Sequence, residues 1–199
     1  MPQVELMSLS SLMIVLQQVV IGLAVGFFLQ VVFQVFVLAG QVVAMKMGLG
    51  FASMNDPANG VTVTVLSQYY LVMTTLLFLS VNGHLAVIEL IVSSFTTLPI
   101  SQQGLSAQDF WNIAASGSWL FSRALLIALP LLTALLVVNL AFGVMSRSAP
   151  QMNVFAVGFP ITLVFGLFLM WVGQASFLPN FQTFVEEGFN FVHHLLGVP

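Results

Sequence analysis

Between Glu5 and Lys46 the chain carries no side chain that is ionised at neutral pH, and the 40 residues from Leu6 to Met45 contain no proline. As a single helix this run is about 60 Å long, roughly twice the hydrocarbon thickness of a bilayer. A hairpin inside it would need a turn, and only Gly22, Gly26 and Gly40 offer one. The run therefore reads as one long or kinked helix, or as a span continuing into a re-entrant piece. Either way its apolar surface exceeds what lipid covers, and the excess has to be buried by protein. Composition points the same way: 5% of the 199 residues are charged and 59% hydrophobic, where a soluble domain has roughly 25% charged. Mean hydropathy is +1.09. A water-soluble fold is excluded. With net charge −3 and only Lys46, Arg123 and Arg147 as fixed cations, so are nucleic-acid binding and a polybasic membrane-surface role. Cysteine is absent, which removes disulfides and thiolate metal sites. The amino terminus, MPQVELM, has an acid where a signal peptide has basic residues, and the apolar run is far longer than an h-region, so cleavage is not expected.

Five hydrophobic helical segments follow from the pattern of apolar runs and breakers: an all-α integral membrane protein with one long N-terminal helix and two helical hairpins. Gly48, Gly50, Asp56, Pro57 and Gly60 fall in one short interval, MGLGFASMNDPANG, which reads as an apolar loop. Val61–Val81 is a helix lightly dressed with Thr and Ser, and Asn82-Gly83 supplies a tight turn before an antiparallel return from His84 toward Pro99. Residues 1–100 thus form a front half with its loop at 48–60. A linker is expected over 101–118, containing Ser106 as a helix N-cap with Asp109 on the first turn. Residues 119–178 make the second hairpin, interrupted at Pro130 and turning at SRSAP. The tail, 179–199, reads as polar or amphipathic and returns to water. If all five segments spanned, Lys46 and Arg123 would lie on one side of the membrane and Arg147 on the other, a count that leaves orientation open.

Several side chains stand out against this background. Gln30, Gln34 and Gln41 recur at intervals of four and seven, placing three amides on one helical face. In an apolar setting such a stripe serves either as hydrogen-bonding contact between helices or as the lining of a wet lumen. Gly22 and Gly26 form a small-xxx-small face that permits close backbone approach. Glu89 is the acid inside an apolar helix, open to three readings: a functional carboxylate, an ion pair with Arg123, Arg147 or a partner's cation, or a protonated, hydrogen-bonded acid. Arg123 is placed to snorkel toward an interface. His84 and Glu89 diverge by roughly 140° on a helix and cannot chelate one ion alone, and His193-His194 read as solvated. No HExxH or GxSxG occurs, so no catalytic or metal constellation is assigned. In the loop, Met47, Phe51 and Met54 are bulky apolar groups on a glycine-rich backbone. They suit either a compliant seal or a re-entrant turn packed on its own helices.

Three stretches, AGQVVAMKMGLGFASMNDPANG, LLFLSVNGHLAVIELIVSSFTTLPI and NLAFGVMSRSAPQMNVFAVGFPITLVFGL, taken in this order, resemble the R-subunit family of the flagellar type III export gate. The resemblance runs from LQQVVIG at Gln17 to at least Trp171. It implies a non-enzymatic subunit of the bacterial inner membrane and flagellar basal body, without cofactor. Such a subunit assembles with P and Q subunits (FliP, FliQ), alongside FlhB and FlhA, into a pore for unfolded flagellar proteins that projects partly out of the lipid plane. It further implies a P-like front half, a Q-like hairpin over 119–178, and a pore plug carried by Gly48, Gly50, Phe51, Met54, Asp56, Pro57 and Gly60. Asn82, Gly83 and His84 match one family turn and Ala149, Pro150, Gln151 and Asn153 another. Both are expected to set hairpin geometry, with Gln30, Gln34, Gln41, Gly22 and Gly26 available for contact between subunits. The family has a further hydrophobic helix ahead of the point where this chain starts, so the chain is expected to be short at its amino end. A different class of reading is a self-contained small-solute or proton transporter titrating Glu89.

Overall fold

The computed structural model describes residues 9–50, 64–100, 104–148 and 154–197. Among these the chain is all helix: α1 (Leu9–Lys46), α2 (Val65–Ser80), α3 (Gly83–Thr97), α4 (Ala107–Ser148) and α5 (Val154–Leu196). Helices α1, α4 and α5 are each long and apolar enough to cross a membrane, and α2 with α3 adds one more span only as a bent pair. The membrane-helical architecture expected from the sequence is therefore present. Helices of 38, 42 and 43 residues are about 57–65 Å long, twice what a bilayer's hydrocarbon requires.

Four local features differ from the expectation or sharpen it. Helix α1 is unbroken through Gly22, Gly26 and Gly40, and Gly40 is a crossing point: a Cβ there would lie 2.6 Å from the Tyr70 ring and 2.9 Å from the Leu66 carbonyl oxygen. Helices α2 and α3 meet at a bend of 66°, not in an antiparallel return, because the link is two residues long with Asn82 alone in the left-handed region (φ 58°). The Asn82 carbonyl accepts from Leu85 and Ala86, so the new helix starts at once. Helix α4 begins at Ala107, where a linker to 118 was expected. Ser106 and Asp109 form a reciprocal cap: the Asp109 N–H donates to Ser106 Oγ at 3.3 Å and the Ser106 N–H to Asp109 Oδ2 at 2.7 Å. Finally, α5 runs through Pro160 and Pro179 to Leu196. The stretch read as a solvated tail is helix, with Phe184, Val192 and Leu196 buried.

The helices gather into two compact units that do not follow chain order. One comprises α1 up to Phe33, Thr75–Leu120 and α5 from Gln182. Its core joins Ile21, Ala24, Val25 and Phe28 of α1 to Leu90 of α3 and to Val192, Leu195 and Leu196 of α5. Phe28 and Phe191 rings meet at 4.2 Å, Gly188 lets Val32 against its backbone, and the Thr97 hydroxyl donates to the Leu196 carbonyl at 2.9 Å. The other comprises Gln34–Thr74 and Phe121–Phe181. There Phe36, fully buried, packs on Phe177 and Phe181, and Tyr70 stacks on Phe177 at 5.4 Å. In this unit α4 and α5 are antiparallel: Leu131 faces Gly173, Asn139 faces Thr162 and Phe142 faces Gly158.

Candidate functional site: the carboxyl end of α1 and the open helix faces

The glycine-rich loop leaves α1 through a tightly specified stop. Gly48 adopts φ +82°, its N–H donates to the Met45 carbonyl at 3.2 Å and the Leu49 N–H to the Ala44 carbonyl at 3.0 Å. This is the paired bonding of a Schellman end, which needs a left-handed residue that glycine occupies without a Cβ penalty. A Cβ at Gly48 would also come within 2.7 Å of the Phe159 ring. Met47 does not project: it is fully buried and lies against Gly166, where a Cβ would be 2.6 Å from its side chain. Of the proposed seal, Phe51, Met54, Asp56, Pro57 and Gly60 lie outside the described residues, as do Ala149, Pro150, Gln151 and Asn153 of the second turn. The chain re-enters at Thr64, whose Oγ1 accepts from the Ser67 N–H at 3.3 Å and bonds the Ser67 hydroxyl at 3.0 Å. Residues 51–63, outside the described residues, are thus preceded by a helix C-terminal stop at Gly48 and followed by an N-cap at Thr64. The spacing Thr64-x-x-Ser67 carried that second signal, and placing the helix start at Val61 missed it.

The stripe on α1 divides by exposure. Gln30 is exposed, Gln34 and Gln41 are half-buried, and no hydrogen bond joins them to another described side chain. Gly22 and Gly26 are open, with nothing within 4 Å of the point where a Cβ on either would stand. With Ile91, Phe95 and Leu98 they border a groove of about 230 Å³. At the α2–α3 corner the Phe78 ring covers Gly83, and His84 points outward.

Glu89 is exposed on α3, and among the described residues it has no ion pair with Arg123 or Arg147. Arg123 is half-buried. A carboxylate that the fold holds over long range is Glu187, whose Oε2 accepts from Trp119 Nε1 at 2.8 Å, while Trp119 meets Phe184 edge-on at 6.2 Å. Sequence reading left Glu187 in a tail, and a partner 68 positions away leaves no local signal. Among the described residues no three His, Cys, Asp or Glu side chains come together to hold a metal.

In the second unit Lys46 and Ser146 line one groove, so the carboxyl ends of α1 and α4 lie together there. Lys46 and Arg147 therefore belong to one end, contrary to the count that separated them. That count assumed a full crossing for each of α2 and α3, which pass the length-and-hydropathy test for a span only together, as a pair bent by 66°.

The description "Bacterial export proteins, family 1" matches residues 1–188. Flagellar biosynthetic protein FliR of Escherichia coli (strain K12) is 40% identical over 194 residues, covering 98% of this chain and 73% of that protein. FliR of Pectobacterium carotovorum subsp. carotovorum is 37% identical over 190 residues, 96% of this chain and 71% of its own length. The surface presentation of antigens protein SpaR of Shigella flexneri is 28% identical over 172 residues, 86% and 66% respectively. A match over nearly the whole chain, on a fold of helices too long and too apolar to stand alone, leaves one assignment: the chain belongs to the bacterial export proteins, family 1.

Proposed function

We propose that this chain is an R-type subunit of the flagellar type III export gate in the bacterial inner membrane, contributing wall and plug to a pore for unfolded flagellar proteins. The observation that carries the reading is apolar exposure along helices of twice the membrane's thickness. On α4 alone, Phe121, Leu129, Leu136, Leu140 and Val144 all face outward, and about half of such a helix lies beyond lipid, where only other polypeptides can cover it. The resemblance to the R-subunit family suggests which polypeptides these are: P and Q subunits, with FlhB and FlhA in the same apparatus. The outward Gln30 and the open Gly22/Gly26 face suit helix–helix contact, the amide by hydrogen bonding and the glycines by close approach.

The segment 48–60 is the plug. Its support is the resemblance together with the helix stop at Gly48 and the cap at Thr64 on either side of this glycine-rich apolar stretch, and apolar constrictions exclude water and ions. Replacing residues 48–60 by a short polar linker in cells that assemble the gate should raise ion leakage across the membrane. Normal assembly with unchanged leakage removes the plug assignment. The rival, a proton or solute transporter titrating Glu89, is disfavoured because Glu89 is exposed with no ion pair among the described residues, whereas transport carboxylates face a protein interior or cavity. Purified chain in liposomes should show no saturable flux; flux abolished by Glu89→Gln would reverse the choice.

A further inference from the structure

We infer that Pro160 is a hinge in α5 that carries the Phe159 ring on and off the stop at Gly48, while Met47, seated against Gly166, stays fixed as the pivot. All of these residues belong to the second unit. The end of α1 meets α5 at two places, Phe159 and Gly166, which lie two turns apart on one helical face. At the second, Met47 is fully buried and fills the notch left by Gly166, where a Cβ would stand 2.6 Å from its Cγ and Cε. At the first, the Phe159 ring lies over Gly48, where a Cβ would stand 2.7 Å from the ring. Met47 and Gly48 are adjacent in the chain, so neighbouring residues are held by contacts on opposite sides of Pro160.

The stretch between the two contacts is where α5 bends most easily. Pro160 has no N–H, so the Ala156 carbonyl loses its usual helical donor, and the proline ring crowds that carbonyl. The Thr162 hydroxyl donates to the Gly158 carbonyl at 2.8 Å, a back-bond of the kind that bends helices. Sharp kinks gather at such positions. The two contacts differ in mobility in the matching sense. Met47 has no exposed surface, and withdrawing it would leave a void at Gly166. Phe159 is half exposed and borders a groove of about 350 Å³, so its ring can leave Gly48 without displacing other atoms. While the ring is on, it shields the left-handed turn, where the Gly48 and Leu49 N–H groups donate to the Met45 and Ala44 carbonyls. Once it is off, solvent competes for those bonds and glycine's φ is free to change. A bend in α5 thereby sets how the chain leaves α1. Its use in regulating the stretch that follows rests on the plug reading proposed above, whereas the hinge itself does not.

The test is hydrogen exchange, read by mass spectrometry at the Gly48 and Leu49 amides of the assembled complex purified in detergent, with ion leakage measured on the same variants in cells. Pro160→Ala adds no bulk at Cβ and restores the missing N–H. Exchange at Gly48 and Leu49 should slow by roughly threefold to tenfold, the worth of about one backbone hydrogen bond. Phe159→Ala should speed it roughly fivefold, as loss of about half a ring's apolar cover implies, and Phe159→Leu should lie between Phe159→Ala and the parent. Exchange that ignores Pro160→Ala, or a uniform slowing that reaches α3 as well, overturns the hinge. So does exchange that Phe159→Ala leaves unchanged. Should Phe159→Ala fail to assemble, Pro160→Ala decides alone. Slowed exchange with unchanged leakage supports the hinge and counts against the plug reading, so the two fail separately.

Discussion

Helices α1 and α4 have nearly the same length and similar apolar character, yet the fold uses them differently. In the carboxyl-terminal third of α1, Val35, Phe36, Ala39, Val43 and Ala44 are all fully buried against this chain, while Leu12, Leu16, Leu23 and Phe27 of its amino-terminal part are exposed. In α4 the buried apolar positions are Ala124, Ala128, Leu131 and Leu135, a single stripe at intervals of four, three and four. That is the seam of a two-helix contact, and everything beside it faces away. Hydrophobicity alone therefore does not say which helix is a core and which is a surface. A helix apolar all round is buried by something; for the carboxyl-terminal third of α1 that is this chain, whereas on the reading proposed above the outward faces of α4 are left to lipid and other subunits.

The largest effect that tests this contrast is truncation inside α1. Phe36→Ala removes a fully buried ring that touches Phe177 and Phe181, and such deletions cost about 3–5 kcal/mol. Unfolding in mixed detergent and dodecyl sulfate micelles should shift accordingly, with loss of the chain from membranes. A shift below about 1 kcal/mol would mean that the carboxyl-terminal third of α1 is not the core.

A smaller effect is expected at the end of the same helix. Gly48→Ala places a Cβ in a left-handed conformation, costing roughly 1–2 kcal/mol, and pushes on the Phe159 ring. Because that ring is half exposed it can move aside, so the backbone term should dominate. The fold should survive while the loop's departure from α1 is disturbed, which ion leakage in the assembled gate would report. Asn at the same position tolerates the left-handed region better and should lie between the two.

What the sequence revealed follows the range of the forces involved. The α4 cap was legible because Ser106 and Asp109 are three residues apart and satisfy each other. The length of α1 was legible because nothing in it could break a helix. Pro179 misled, since its cost of about 3 kcal/mol is local, while the burial that outweighs it, at Phe181, Phe184, Val192 and Leu196, depends on α1, far off in sequence. Asn82-Gly83 announced a corner but not its 66°, because packing such as that of Phe78 on Gly83 sets the angle. The proposed seal rests on the resemblance alone, for no property of Phe51 or Met54 in the sequence distinguishes a gate from a static turn, and both lie outside the described residues.

The smallest effect on the chain itself is the most informative about its surroundings. Leu136 and Leu140 sit on the outward side of α4, both more than half exposed, and one helical turn apart. Replacing both with Gln removes little surface buried within the chain, so the chain's own unfolding should move by no more than about 0.5 kcal/mol. In lipid or against a partner helix the two amides must be desolvated, at about 1–3 kcal/mol each where no partner group answers them. If α4 is covered as proposed, recovery of the chain with its P- and Q-type partners should fall steeply while the isolated chain unfolds as before. If recovery is unchanged and the variant is merely more soluble, α4 faces water in the assembly, and its contrast with α1 is one of exposure without function.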